Sequence, residues 1–397
     1  MTITQTAGEL MPELGQYQRR LLTAGGVGLL VSAAGWFFNP TQFYQSYLMA
    51  YMFCLSVTLG CLALGMVHQL SGGAWGIVIR RPIGAAARLL PMMTLLFVPV
   101  IVGMNHLYPW TRADIVANDE LLQAKRAYLN VPFFLARAAI YFAAWNAISY
   151  WLNRWALEQD RTGDPQIAPK MQKLSAAGLI VYGLTITFAS FDWLMSLEPH
   201  WYSTIYGVLI MGGQGLSGMA FLIGVLVWLS GRPPLDRIIV KAHFHDLGNL
   251  MLAFVMLWAY FAFSQYLIIW AGNLPQEIAW YAHRLQTGWR FVGVALIAFH
   301  FVIPFVLLLS RTIKRDADLI VKVAIGILVV RLVDLFWLIA PEFHTNGIAV
   351  SWLDVVLPLS LGAFWLGCFI SQLRRRTILP VHDPEFDEAL GRIVLQS

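Results

Sequence analysis

The chain has 397 residues, of which 58% are hydrophobic and only 12% are charged, and its formal net charge is +5. Soluble domains carry about 25% charged residues, so this chain has too little charge to cover a soluble protein of its length. The aromatic content of 14% excludes intrinsic disorder, and three cysteines exclude a disulfide scaffold. The composition therefore predicts a multi-pass membrane protein.

Ten apolar stretches follow one another along the chain, and each is long enough to cross a bilayer. They run approximately over 21–38, 42–70, 83–103, 132–152, 174–197, 203–230, 246–270, 290–310, 318–340 and 352–372. Each stretch is continuously apolar and about twice as long as the strand of a membrane barrel, so we expect helices. The sequence thus predicts an all-α polytopic membrane protein with ten transmembrane helices.

The charged loops predict how the chain is oriented in the membrane. A transmembrane domain of residues 21–372 would lie between tails 1–20 and 373–397, with no connection long enough for a soluble domain. Lys and Arg concentrate in the loops on the side that carries both tails, which predicts that both termini are cytoplasmic. This positive charge is spread over many loops and forms no single patch, so no nucleic-acid partner is expected.

The residues that usually hold redox cofactors are too few or too far apart. Cys54, Cys61 and Cys368 are the only cysteines, and an iron–sulfur cluster takes four. There is no Cys-x-x-Cys-His segment for covalent haem. His300 is the only histidine near the middle of an apolar stretch, so no second histidine matches its depth. We therefore expect no metal and no redox cofactor bound by this chain.

Ionisable residues inside the apolar stretches are candidate functional groups, since each costs about 2.5–3.5 kcal/mol on insertion scales. Arg331 and Asp334 are three residues apart in the ninth stretch, so they share a helix face and can neutralise each other. They are either a charge pair that orders the helices or a station on a proton or quinone path. For His300 the alternatives are a hydrogen bond to a neighbour and a proton-relay role.

Further candidates lie towards the ends of the stretches. Asp192 is near the outer end of the fifth stretch, and His245 and Asp246 open the seventh beside His243. Asp246 could also be a solvated cap near a helix start. Arg137 lies inside the outer end of the fourth stretch, where a paired or phospholipid-binding arginine is the simplest interpretation.

Two long segments carry a family resemblance. One is FDWLMSLEPHW at 191–201, and the other runs from FHDLGN at 244–249 to NLP at 273–275. Both resemble the smaller NrfD/PsrC-like membrane subunit of bacterial alternative complex III, a quinol-oxidising electron-transfer assembly. The resemblance implies two four-helix bundles, about 42–197 and 203–340, with the first and tenth helices outside them. The motif positions that carry over are Asp192, Glu198, His200, His245, Asp246 and Gln265.

The resemblance also implies partners and a location. The subunit itself would bind no redox cofactor and would sit in the bacterial cytoplasmic (inner) membrane among lipids. Its partners would be a cytochrome c subunit with haem c, an iron–sulfur subunit, a larger NrfD-like sister subunit and small membrane subunits. The complex would use a quinol, with menaquinol as one candidate. The quinol site belongs to the sister subunit in the family, so quinone-binding residues in this chain stay unknown.

The leading functional expectation is therefore a membrane subunit of a quinol:electron-acceptor oxidoreductase. The chain would anchor the redox subunits and offer a proton route from His243, His245 and Asp246 through His300 and Arg331–Asp334 to Asp192. A purely structural docking subunit is one alternative. An independent secondary transporter built from parallel repeats is another.

Overall fold

A computed structural model describes residues 6–233, 235–345, 347–380 and 386. Across these residues the regular structure is helical, apart from an isolated bridge between Thr6 and Thr377. The all-α prediction is confirmed. Residues 1–5 of the predicted N-terminal tail, and 381–385 and 387–397 of the predicted C-terminal tail, lie outside the described residues.

Ten helices in the described part of the chain are long and apolar enough to cross a membrane, as the apolar stretches predict. They are α1 Leu14–Phe38, α2 Pro40–Ser71, α3 Arg80–Val102, α4 Val131–Thr162, α5 Ile167–Leu197, α6 Tyr206–Ser230, α7 Lys241–Gly272, α8 Trp289–Leu309, α9 Ala317–Phe343 and α10 Leu353–Arg374. Several run past the apolar stretches because polar turns stay helical. The helix α4, for example, ends only at Gly163, whose left-handed φ of 63° suits glycine.

The N- and C-terminal segments meet on one side of the helices, which we call the terminal side; the opposite side is the far side. The backbone N–H of Ala7 donates to the carbonyl of Arg376 at 2.8 Å, and Arg374 donates to the amide oxygen of Gln18 at 2.8 Å. An even number of crossings places both segments on the same side, in agreement with these contacts.

The helix α3 is interrupted, although its sequence predicts one continuous run. It consists of the pieces Arg80–Ala87, Leu90–Leu95 and Val98–Val102. Pro91 and Pro99 lie in the first turn of the later pieces, since proline cannot donate to the preceding turn. The Tyr47 hydroxyl of α2 donates to the freed carbonyl of Leu96 at 2.7 Å. Side chains of a neighbouring helix thus satisfy the broken backbone, as burial in an apolar medium requires.

Helices α2 and α6 form the centre of the molecule. In their most apolar stretches 78% and 83% of the residues are buried, against 17% in α1. The two helices approach closely because glycines face each other. A Cβ added to Gly218 would lie 2.7 Å from the carbonyl carbon of Gly60. Small residues permit this backbone contact between membrane helices.

The remaining helices surround this central pair. Helix α2 packs against α3 and α5, and α4 packs against α5. On the other flank, α6 packs against α7 and α9, and α8 packs against both of those. Helix α10 packs against α1 and α2. A further helix, Pro275–Gln286, connects α7 to α8 on the far side; we call it the connector helix.

Candidate functional site

A buried polar cluster lies midway along α7, α8 and α9, and we call it the central cluster. Arg331 and Asp334 of α9 form the ion pair that their spacing predicts, and both are almost fully buried. Trp258 of α7 donates its indole N–H to the Asp334 carboxylate at 3.2 Å. The ring of His300 from α8 lies against Trp258, with 4.0 Å between ring centroids. Three helices thus converge on one carboxylate and one imidazole.

The local backbone explains how His300 enters this cluster. Residues Ile297–Val302 form a π-helical turn within α8. Pro304 follows four residues after His300, so it cannot donate to the His300 carbonyl, and its ring would clash with that carbonyl in a regular helix. The helix widens at this point instead. Turns of this kind occur frequently at functional sites.

The central cluster contains polar atoms that the described residues leave unmatched. Neither ring nitrogen of His300 has a hydrogen-bond partner among them, and the same holds for Nε and Nη2 of Arg331. An unmatched buried polar group costs about 1–3 kcal/mol, so these positions favour bound water that bridges them. Among the described residues, then, no neighbour holds His300 in place by a hydrogen bond.

A second polar cluster, the far-side cluster, is built around Arg284 of the connector helix. Arg284 is 1% exposed, and its guanidinium stacks on the Trp280 ring at 3.7 Å. It donates to the Trp280 carbonyl at 3.2 Å and lies 3.6 Å from the Glu198 carboxylate. Burial lowers the pKa of Arg284 to about 10, and the Glu198 charge opposes that shift. The arginine therefore holds one of the motif carboxylates below the far-side surface.

Tyr206 and Glu342 extend the far-side cluster in both directions. Tyr206, fully buried at the start of α6, is within electrostatic range of the central ion pair and of Arg284 and Glu198. Glu342 at the end of α9 is within electrostatic range of Glu198 and Arg284. Glu342 also lines a far-side cavity of about 190 Å³. Glu342 therefore lies both near the far-side cluster and at the wall of this cavity.

Asp192, which we expected to be the outer end of the route, belongs to a different cluster. Its carboxylate accepts two hydrogen bonds from Arg137 of α4, each of 2.8 Å, and one from the Tyr141 hydroxyl at 2.8 Å. Arg137 also donates to the Tyr128 carbonyl at 3.0 Å. Among the described residues, none of the hydrogen-bond partners of Asp192 comes from α7, α8 or α9. Asp192 is therefore not linked to the central cluster by hydrogen bonds between described residues, whereas Tyr206 of α6 is within electrostatic range of the Arg331–Asp334 pair.

The terminal-side candidates are adjacent, and the structure adds a lysine to them. His245 Nδ1 lies 3.8 Å from the Asp246 carboxylate, and both side chains are partly exposed. Lys314, which precedes α9, donates to the Asn249 amide oxygen at 2.6 Å. Burial lowers the pKa of Lys314, and the nearby charge of Arg311 acts in the same direction. The His243 ring instead accepts a hydrogen bond from the Val240 N–H and so caps the start of α7.

The other motif residues lie on the far side. His200 Nε2 lies 2.7 Å from the Asp119 carboxylate on the surface. The Gln265 amide accepts from Ser203 at 3.3 Å and donates to Tyr281 of the connector helix at 3.4 Å. Burial raises the pKa of Tyr281 to about 12, so this tyrosine stays protonated. Both motifs thus shape the far-side loops around Arg284.

Sequence reasoning missed two buried ionisable residues, Arg284 and Asp354, and the half-buried Glu342. Arg284 lies in a loop between the seventh and eighth apolar stretches and Glu342 lies just beyond the ninth, so neither is a candidate by its position in a stretch. Sequence reasoning also passed over Asp354 of α10, whose carboxylate accepts from Ser46 at 2.5 Å and from Gln42 at 3.1 Å. These contacts fasten α10 to α2.

Comparison with known proteins gives no family for this chain. Profiles of known protein families give no match, and a search of curated proteins gives none either. Within the described residues, no group of three or more His, Cys, Asp or Glu side chains is placed to hold a metal ion.

Proposed function

We propose that this chain is a cofactor-free membrane subunit of a quinol:electron-acceptor oxidoreductase similar to alternative complex III. It would anchor a cytochrome c subunit, an iron–sulfur subunit, a larger sister subunit and small membrane subunits, and quinol oxidation would take place in the sister. The observation that carries this proposal is the central cluster. A buried histidine with two unmatched nitrogens beside a buried ion pair is costly in a protein that only spans the membrane.

The proposed architecture is two four-helix bundles, α2–α5 and α6–α9, with α1 and α10 outside them. Support comes from the neighbours of each helix, since α2 and α6 meet at the centre and α1 packs mainly on α10. We further propose that the terminal side faces the cytoplasm of a bacterium. The Lys and Arg residues concentrated in the loops of that side support this orientation.

The proposed proton route begins at His245 and Asp246, beside Lys314, on the terminal side. It continues to His300, whose neutral ring can accept a proton at one nitrogen and release one from the other. The Asp334 carboxylate is next. Arg331 neutralises the charge of the Asp334 carboxylate, and Trp258 fixes the orientation of that carboxylate. The affinity of Asp334 for a proton can therefore respond to small movements of α7 or α9. Bridging water would connect these residues. Its entry is favoured because water can hydrogen-bond the ring nitrogens of His300 and the guanidinium nitrogens of Arg331, which have no partner among the described residues.

On the far side the proposed route leaves through Tyr206 to Glu198, Arg284 and Glu342, and then to the cavity beside Glu342. When both are ionised, the carboxylates of Glu198 and Glu342 carry one more negative charge than Arg284 neutralises. A proton that arrives there can therefore be held briefly before it passes to the water of the cavity. This exit replaces Asp192 in the route.

A purely structural role is the second candidate function, and the cluster at Asp192 favours it. The carboxylate there is matched by an arginine and a tyrosine, which is the chemistry of a lock between α4 and α5. If the central cluster acted in the same way, the chain would dock its partners without moving protons.

The first test of the proposal is isolation of the full chain from its native membranes through an affinity tag. We expect partner polypeptides that stain for covalent haem to co-purify, with an optical spectrum that a quinol reduces. Washing in high salt should leave the complex intact, because helices in the membrane bind it. A chain that purifies alone and without haem would contradict the proposal and favour the independent transporter.

A further inference from the structure

The glycines of α6 make room for different kinds of neighbour. A Cβ added to Gly215 would lie 2.6 Å from the Phe254 ring of α7. At Gly213, in contrast, the added Cβ would overlap the guanidinium carbon of Arg331 and lie 2.6 Å from its Nη1. Gly215 therefore makes room for an apolar ring, whereas Gly213 makes room for the buried charge of the central cluster.

Hydrogen bonds alone do not fix the guanidinium of Arg331. Its Nη1 donates to the Asp334 carboxylate, and neither Nε nor Nη2 has a partner among the described residues. Arg331 is also fully buried, so its position depends on the atoms that pack around it. The bare backbone at Gly213 is one of the surfaces against which the guanidinium lies. A side chain at that position would take its space.

The face of α6 that carries Gly213 is directed at the central cluster over two helical turns. Tyr206 precedes Gly213 by seven residues, so both lie on the same face of the helix. Tyr206 is within electrostatic range of Arg331 and Asp334, and α6 packs against α9. On the other side of the pair, His300 of α8 is within electrostatic range of Arg331. The ion pair is thus enclosed between α6 and α8.

We propose that Gly213 is a positioning residue that holds the Arg331 guanidinium against the Asp334 carboxylate. A methyl group at Gly213 would displace the guanidinium, because the guanidinium is the end of a long side chain and the helix backbone is not free to move aside. A buried carboxylate that loses its counter-ion takes up a proton. The positioning role does not require a redox partner; only its effect on proton transfer rests on the proposed function.

The test is infrared difference spectroscopy of the full chain, purified with the partners it retains, over a pH titration. For Gly213→Ala we expect the ratio of protonated to ionised Asp334 at neutral pH to rise about tenfold or more, because an opposite charge in contact with a carboxyl group changes this ratio by such a factor. Asp334→Asn in the same background must remove the band, which assigns it to this residue. An unchanged ratio in a folded variant would overturn the proposal.

Gly215→Ala is the matched control. It adds the same methyl group to the same helix, but the group that it crowds is the Phe254 ring. The melting temperature of this variant should fall, while the protonation of Asp334 stays as in the wild type. An equal rise of the Asp334 band in both variants would show a general loosening of α6, and it would also overturn the proposal.

A charge-free background decides the matter if Gly213→Ala does not fold. Arg331→Met combined with Asp334→Asn removes both charges, and replacement of a whole buried pair is usually tolerated. The methionine side chain ends before the position of the guanidinium carbon, so Gly213→Ala should lower the melting temperature much less in this background than in the wild type. The same loss of folding in both backgrounds would contradict contact between Gly213 and the guanidinium.

The assembled complex separates failure of the positioning role from failure of the proposed proton route. If Gly213→Ala raises the protonation of Asp334 but leaves proton translocation per quinol unchanged, Gly213 positions the pair and the route is wrong. If Asp334→Asn abolishes translocation while Gly213→Ala leaves both the protonation of Asp334 and translocation unchanged, the route stands and the positioning role is wrong.

Discussion

At the scale of single residues, the two buried arginine–aspartate pairs differ in how completely they are matched. The Asp192 carboxylate accepts from Arg137 and Tyr141, and Arg137 has a carbonyl partner as well. The Arg331–Asp334 pair leaves two guanidinium nitrogens without partners among the described residues. A matched pair stabilises one arrangement of helices, whereas an unmatched pair retains capacity to bind water or protons. This difference separates a structural lock from a candidate transport station.

The sequence predicts the Arg331–Asp334 pair and does not predict the Arg137–Asp192 pair. Arg331 and Asp334 are three residues apart, so the period of the helix alone brings them together. Arg137 and Asp192 are 55 residues apart and lie on different helices. Their contact depends on how α4 packs against α5, which no local pattern reveals. Sequence reasoning could therefore find both acids, but only for Asp334 could it also predict the partner.

The lock at Asp192 leads to a stability prediction. Asp192→Asn leaves Arg137 buried without its counter-ion, and loss of one partner of a buried pair costs about 3–5 kcal/mol. Tyr141→Phe is the matched control, because it removes one hydrogen bond to the same carboxylate, and such bonds in membranes average about 0.6 kcal/mol. Unfolding of the purified chain by titration with SDS measures both. Equal free energies of unfolding for the two variants would show that the charge pair is not a lock.

At the scale of helices, proline and glycine account for the departures from regular geometry. Proline breaks α3 and accompanies the widened turn of α8, and both positions could be marked from the sequence. The sequence could not tell that tyrosines of α2 satisfy the carbonyls of α3, because those residues lie about 45 positions apart. Glycine also permits the close approach of α6 to α2, where Gly218 meets Gly60.

The close approach of α2 and α6 predicts a strong position dependence of glycine substitution within α6. A Cβ at Gly218 would lie 2.7 Å from the Gly60 carbonyl carbon, and backbone atoms cannot move aside. Gly218→Val should therefore destabilise the fold by about 1–3 kcal/mol or more. Gly224→Val on the same helix is the control, since no atom lies within 4 Å of its added Cβ. Melting temperatures in detergent compare them. A similar loss in both variants would argue against the glycine contact.

At the scale of the whole molecule, apolar length predicted ten crossings, and ten helices of the required length are present in the described residues. The depth of each polar residue was also predictable from its position in its stretch. The lateral arrangement of the helices was not predictable, because the sequence of an apolar stretch does not indicate which helices pack against it. For this reason the sequence orders Asp334 and Asp192 by depth alone, and it does not reveal that Tyr206 of α6 is within electrostatic range of both the central ion pair and Arg284 of the connector helix.

The most direct measurement of the central claim is the ratio of protons released to quinol oxidised by the assembled complex in proteoliposomes. For Asp334→Asn we expect the protons translocated in addition to those that the quinol itself gives up to fall to about a tenth or less while quinol oxidation continues, since a positioned acid–base group contributes about 10²–10⁴-fold to proton transfer. Asp354→Asn, a buried carboxylate that fastens α10 to α2, should leave the ratio unchanged. An unchanged ratio for Asp334→Asn in a fully assembled complex would contradict the account.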